Sequence, residues 1–215
     1  MKPLLPLYLT LSLIGALAGA HAARAEPIDP TGKYELVTPP QPTEVPAGKI
    51  EVVDLFWYGC PHCWRILPYV ERYARNLPDD VVLRHLPAVF RKSWEAHARA
   101  FYTAEILGVT EAIHRPLFEA IHEQRRSLDS REKLRAFFVA HGVSASDFDK
   151  TYDSFAVETM LRKSMVMQQR YGVRGTPTLI VNGKYRVTAS SAGGYAEALK
   201  VVAALVDKER RAAAQ

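Results

Sequence analysis

Only two residues of the 215 are cysteine, and they stand three apart in Phe56-Trp57-Tyr58-Gly59-Cys60-Pro61-His62-Cys63-Trp64. Two thiols at that spacing can open and close a disulfide. An apolar strand pattern runs into them and a helical pattern runs out, which puts Cys60 at a helix N-terminus. Unpaired backbone N–H groups and the helix dipole favour a thiolate there. Pro61 suits the first helical turn, since it lacks an N–H and has a helical φ. A disulfide stabilises a fold through the size of the loop it closes, and this loop is tiny. The pair therefore reads as redox-active rather than as a staple. A metal module built on Cys60, His62 and Cys63 is the rival chemistry. It lacks a fourth ligand, because His97, His114, His122 and His141 are scattered and no second cysteine pair appears. Those histidines read as surface or core residues, and no metal is expected.

Residues 50–58 form the strand that must deliver the pair. Val52, Asp54, Phe56 and Tyr58 alternate with Val53, Leu55 and Trp57, so both faces are apolar except at Asp54. Such a strand belongs inside a sheet covered on both sides. Asp54 is then an acid in an apolar setting, six residues before Cys60, and a candidate proton carrier. Residues 61–76 form a helix with Cys63, Leu67, Val70, Ala74 and Leu77 on its buried stripe, kinked rather than ended by Pro68. Cys63 faces inward and Cys60 is the accessible sulfur. Residues 81–86 supply the next strand, and strand–helix–strand over so short a stretch implies a parallel βαβ unit.

From Lys92 to Tyr171 the pattern is helical: 94–107, 110–122 capped by Thr110, a helix opened near Ser130 and ended by His141-Gly142, a short one after Ser144, and one from Ser154 to Tyr171. Strands return at 178–181 and 185–187 around Asn182-Gly183, a type I′ hairpin signal, and an amphipathic helix spans 195–208. A short strand at 33–37 precedes all of this. Neither strand-bearing end closes a core alone, so the two must share one sheet.

The first 25 residues have the order of a secretory leader: Met1-Lys2, an apolar run from Leu4 to Ala20, and small-x-small sites ending at Ala22 and Ala25. Export places the thiols where disulfides persist. Removing the leader takes away Lys2 and Arg24 and lowers the formal net charge from +5 to +3. That mild basicity, without interleaved aromatics, excludes a nucleic-acid partner. No later stretch is apolar and long enough to span a bilayer.

Cys60-Pro61-His62-Cys63 after an acid-bearing strand resembles the active site of the DsbA family of the thioredoxin superfamily. Residues 172–178, Gly-Val-Arg-Gly-Thr-Pro-Thr, followed by Val181-Asn182-Gly183-Lys184-Tyr185, resemble that family's cis-proline loop and hairpin. The resemblance covers the whole chain after the leader. It implies an α/β thioredoxin fold in which residues 26–91 and 172–215 form the thioredoxin-like domain and residues 92–171 an inserted helical domain. It implies a periplasmic oxidoreductase that gives its Cys60–Cys63 disulfide to newly exported, unfolded proteins; an isomerase or reductase of the same fold is the alternative. Cys60 is then the cysteine of the mixed disulfide and Cys63 its resolving partner. Pro61 and His62 tune the pair, with the His62 ring reaching the Cys60 thiolate. Thr176 and Pro177 form the cis-proline pair beside which substrate backbone would lie. Asp54 falls where the family commonly has a longer Glu. No cofactor is implied beyond the redox-active disulfide. The implied partners are substrate proteins and a membrane reoxidant of the DsbB type, and the implied state is a monomer.

Overall fold

The computed structural model describes residues 28–214, so the leader lies outside the described residues. Five strands form one sheet: β1 (Glu35–Leu36), β2 (Ile50–Phe56), β3 (Val81–Pro87), β4 (Thr178–Val181) and β5 (Tyr185–Val187), in the order β1-β5-β4-β2-β3. β2 runs parallel to β3 and antiparallel to β4, and all its residues are buried. Its two apolar faces meet different layers. Val52 packs with Ile66 and Val70 of α1 (Pro61–Arg75) and with Val202 of α8 (Tyr195–Ala213). Val53 and Leu55 pack on the opposite side with Met167 and Tyr171. This is the thioredoxin fold: βαβ and ββα halves share one sheet.

β2 stops two residues short of the expected end. The Cys60 N–H bonds the Trp57 carbonyl at 3.0 Å, so Trp57 and Tyr58 belong to the turn that launches α1. Helix α1 continues through Pro68 to Arg75. Its buried stripe is Cys63, Ile66, Leu67 and Val70; Ala74 is exposed, because the helix outruns the sheet it covers.

Between β3 and β4, a 3-10 turn at Lys92–Trp94 leads into α2 (Glu95–Ile106), α3 (Thr110–His122), α4 (Arg131–Ala140), α5 (Ala145–Tyr152) and α6 (Phe155–Arg170). The Ser130, Ser144 and Ser154 hydroxyls cap α4, α5 and α6 by accepting from the N–H groups of Lys133, Asp147 and Val157. Thr110 is not a cap. It lies inside α3, and Val109 precedes the helix without a side-chain bond. Phe101, Leu117, Phe118, Leu134 and Phe138 fill the helical block, and their cluster runs without a break into Phe56, Tyr58, Cys60 and Cys63.

Asn182 and Gly183 have φ of 49° and 65°, the two positive values a type I′ turn needs. A Cβ on Gly183 would lie 2.0 Å from the Gln41 carbonyl oxygen, so the Pro-rich lead-in passes over the hairpin only because this residue is Gly. A short α7 (Ala189–Ala192), boxed by Thr188 and Ser191, follows unforeseen, and α8 runs to Ala213 rather than Lys208. The added turn carries Glu209, whose buried carboxylate accepts from Asn182 Nδ2 at 2.6 Å, Lys184 Nζ at 2.6 Å and the Tyr185 hydroxyl at 2.9 Å.

Candidate active site

Cys60 closes the turn after β2, with extended backbone (φ −87°, ψ 117°), and α1 starts immediately behind it. The first turn of α1 holds no acid to oppose a thiolate. Gly59 makes the turn possible. A Cβ there would meet the Trp57 ring at 2.3 Å, and that ring is already stacked on Trp94 at 3.9 Å between centroids. Both thiols are free. Cys60 is 8% exposed and Cys63 2%. Cys60 is the more accessible sulfur, as the helical pattern required, but little of it is open, because the 174–177 loop closes over it. Its thiol donates to the Thr176 carbonyl at 3.3 Å, and the Thr176–Pro177 peptide bond is cis. The second cis bond, Thr38–Pro39, lies in the lead-in and was not foreseen.

The two sulfurs are driven apart electrostatically. Cys60 is brought down to about 5 from the ordinary thiol value, above all by the hydrogen bond it receives from Cys63. Burial opposes this. The Thr176 side chain and the backbone N–H groups of Cys63 and His62 add to the lowering. Cys63 is pushed well above the ordinary value, first by its burial and then by its place as donor to Cys60. One proton is thus shared between unequal partners, a thiolate outside and a thiol within.

The His62 ring is hydrogen-bonded through Nδ1 to the Tyr195 hydroxyl at 2.7 Å, and its backbone N–H is among the groups that lower Cys60. Pro61 occupies the first helical position. Asp54 is 3% exposed. By strand alternation it shares the face of β2 with Val52 and Phe56. Val52 lies against Ile66 and Val70, and Phe56 lies in the cluster of Cys63 and Leu67, so Asp54 sits beneath α1. Its Oδ2 is 3.1 Å from Nδ1 of His85, its register partner on β3, and its Oδ1 has no partner.

Three histidines of the helical block converge on the residue two before Cys60. His114 Nδ1 and the Tyr58 hydroxyl are bonded at 2.9 Å, His122 Nε2 donates to the Tyr58 carbonyl at 2.7 Å, and His97 meets the Tyr58 ring edge-on at 6.0 Å. Burial holds His114 well below the ordinary imidazole value, so it stays neutral. His85, Tyr195 and His122 were missed as site neighbours. His85 reaches Asp54 through the β2–β3 register, which no local pattern in the sequence specifies. Among the described residues no group of His, Cys, Asp and Glu is gathered as a metal would require.

Beside the sulfurs opens a cavity of about 670 Å³, whose walls include His62, Arg174, Thr176, Pro177, Arg186 and Tyr195.

Known proteins match this arrangement. A family profile described as a DSBA-like thioredoxin domain matches residues 52–200. The thiol:disulfide interchange protein DsbA of Pseudomonas syringae is 42% identical over 208 residues, covering 96% of this chain and 97% of that protein. The protein of the same name from Burkholderia cepacia is 35% identical over 86% of this chain and 87% of its own. The crystal structure of Pseudomonas aeruginosa DsbA superposes with a TM-score of 0.82 at 42% identity, over 86% of this chain and 95% of that one. With its paired thiols, cis-proline loop and helical insertion in that arrangement, the chain belongs to the DsbA-like thioredoxin domain family.

Proposed function

We propose that the protein oxidises paired thiols in newly exported polypeptides of the periplasm, using its own Cys60–Cys63 disulfide and no other cofactor. The observation that carries this reading is the inequality of the two sulfurs, about 5 for Cys60 and well above the ordinary value for Cys63. A substrate thiolate attacks Sγ of Cys60; the Cys60–Cys63 bond breaks, and Cys63 leaves and takes up a proton. The second substrate thiolate attacks its partner sulfur in the mixed disulfide, and Cys60 leaves as the stabilised thiolate. The substrate gains a disulfide and the enzyme ends as a dithiol. Two electrons then pass to a membrane reoxidant of the DsbB type, and the working form is a monomer. Among the described residues no helix is long and apolar enough to cross a membrane.

The test separates the sulfurs. Cys63→Ser should accumulate mixed disulfides with exported proteins, since nothing internal displaces the substrate, while Cys60→Ser should form none. Equal trapping by both variants would overturn the assignment. A steady state that is mostly reduced in intact cells would favour isomerase or reductase work instead.

Asp54 supplies the proton that Cys63 takes up as it leaves, and receives it in the reverse step. Its place beneath α1, its burial and its unpartnered Oδ1 support the role. Asp54→Asn should slow rapid-mixing exchange with a peptide thiol about 100-fold or more in both directions, the usual reach of general acid–base catalysis. Unchanged rates would leave Asp54 a structural residue paired with His85.

A further inference from the structure

Within the oxidase reading of the site, we propose that the cavity beside the cis-proline pair selects cysteine-bearing segments that carry a carboxylate side chain within a few residues of the cysteine, and that Arg174 receives it.

The cavity reaches Thr176, whose carbonyl accepts from the Cys60 thiol. His62, Thr176 and Pro177 form one end, and the wall continues through Gly175 and Arg174. The backbone N–H groups of Arg174, Gly175 and Thr176 have no backbone partner among the described residues, which leaves an edge for an extended segment. A Cβ on Gly175 would touch nothing, so the edge is open at its middle. Arg174 stands two residues before Thr176, at most about 7 Å along the loop. An extended peptide advances about 3.3 Å per residue. A side chain two or three residues from the cysteine joined to Cys60 therefore comes level with Arg174.

Charge sets the preference. The lining holds two arginines and one acid, Glu35. Arg186 is committed: its guanidinium donates to the carbonyls of Tyr171 at 2.7 Å and Gly172 at 2.9 Å and pairs with Glu35. Glu35 is thereby occupied. Arg174 is exposed and makes no ion pair or side-chain hydrogen bond among the described residues, though its charge adds to that of Arg186 in lowering Glu35. The hydroxyls of Thr188, Ser190 and Tyr195 complete a polar wall with no further acid. A carboxylate is the group that this surplus cation, accessible and close to the reacting sulfur, attracts. A lysine side chain is the group it repels.

The experiment uses a set of dithiol peptides identical except for Glu, Gln or Lys at the second or third residue on either side of one cysteine. For each, kcat/KM for oxidation by the whole protein is measured at low salt and at about 0.5 M salt, where screening falls to a few ångström. The expected order is Glu, Gln, Lys, with about two- to five-fold between neighbours as for an exposed ion pair, and the differences shrink in high salt. Arg174→Gln should slow the Glu peptide and quicken the Lys peptide, opposite movements that a folding lesion cannot produce. Arg174→Glu should invert the order, whereas Arg162→Gln, on α6, should leave it intact. Equal rates for the three peptides, or an order that Arg174→Glu does not invert, would overturn the subsite while leaving the oxidase reading standing. Failure to oxidise any peptide would overturn that reading and this proposal with it.

Discussion

At pH 7 the reduced protein is expected to unfold at higher denaturant than the oxidised protein, and the order is expected to reverse as the pH falls towards 5. The thiol of Cys60 titrates at about 5 in the native dithiol form, against an ordinary value of 9.0. Between those values the unfolded chain holds a proton that the native protein has released, so native stability rises with pH. The contribution is complete above the unfolded value and lost as the pH falls through the folded one. At about 1.4 kcal/mol per unit, it amounts to about 3 kcal/mol at pH 7. The oxidised form has only the closure of a four-residue loop in its favour, about 2 kcal/mol by chain entropy. The thiolate therefore wins at neutrality by about 1 kcal/mol, and the two curves cross at about pH 6.5. Cys63 works the other way as the pH nears and passes the ordinary value of 9.0, because the unfolded chain then releases a proton that the buried thiol keeps. The gap should accordingly grow from neutrality and be widest near pH 9, where the two slopes cancel. The same 3 kcal/mol makes the disulfide about 60 mV more oxidising than one between ordinary thiols. Urea unfolding of both forms from pH 5 to 9 checks the whole pattern; a reduced form no more stable than the oxidised one at every pH would show that the thiolate is not held.

Glu209→Ala should cost about 3–5 kcal/mol, the loss expected when one partner of a buried charged network is removed. Glu209 is 6% exposed and is the shared acceptor for Asn182, Lys184 and Tyr185, so a single carboxylate clasps the β4–β5 turn to α8. Burial raises its carboxyl, but the donors Lys184, Asn182 and Tyr185 outweigh that and hold it below the ordinary range. Its contribution is therefore present above the unfolded value and lost as acid titrates the native group. Glu209→Gln keeps an acceptor oxygen and should cost roughly half as much, about 2 kcal/mol. Neither change should move the Cys60 titration in folded protein, since the turn lies at the end of β4 opposite to Thr178. Chemical unfolding with thiolate absorbance followed in parallel gives both readouts, and a loss below about 1 kcal/mol for the alanine variant would mean that water replaces the carboxylate.

What could be read from the sequence was whatever has a period or a local signature. The Cys60-x-x-Cys63 spacing, the two-faced β2, the serine caps at 130, 144 and 154 and the Asn182-Gly183 turn each occupy one short stretch. What escaped depended on pieces brought together from afar. Nothing near Asp54 announces His85, because that contact is a consequence of β2–β3 register. The four histidines of the helical block looked scattered, yet three of them meet at Tyr58 once α2 and α3 pack against it. The last turn of α8 lacked an apolar stripe because its inward residue is Glu209, which is buried through hydrogen bonds rather than hydrophobicity. The bond between the His62 ring and Tyr195 of α8 likewise joins residues 133 apart, and no local pattern announces it.

The sulfur of Cys60 and the carbonyl that meets it come from residues 116 apart in the chain. β2 must wait for β4 across the whole helical block, a long loop whose closure entropy is met late in folding. Synthesis runs from the amino terminus, so both thiols are made well before residue 176 is added. Until then the pair lacks the Thr176 contact that helps to lower Cys60. Complete reactivity is thus reserved for molecules whose carboxy-terminal strands have already been delivered and paired, and a truncated or stalled chain carries the motif without its finished setting.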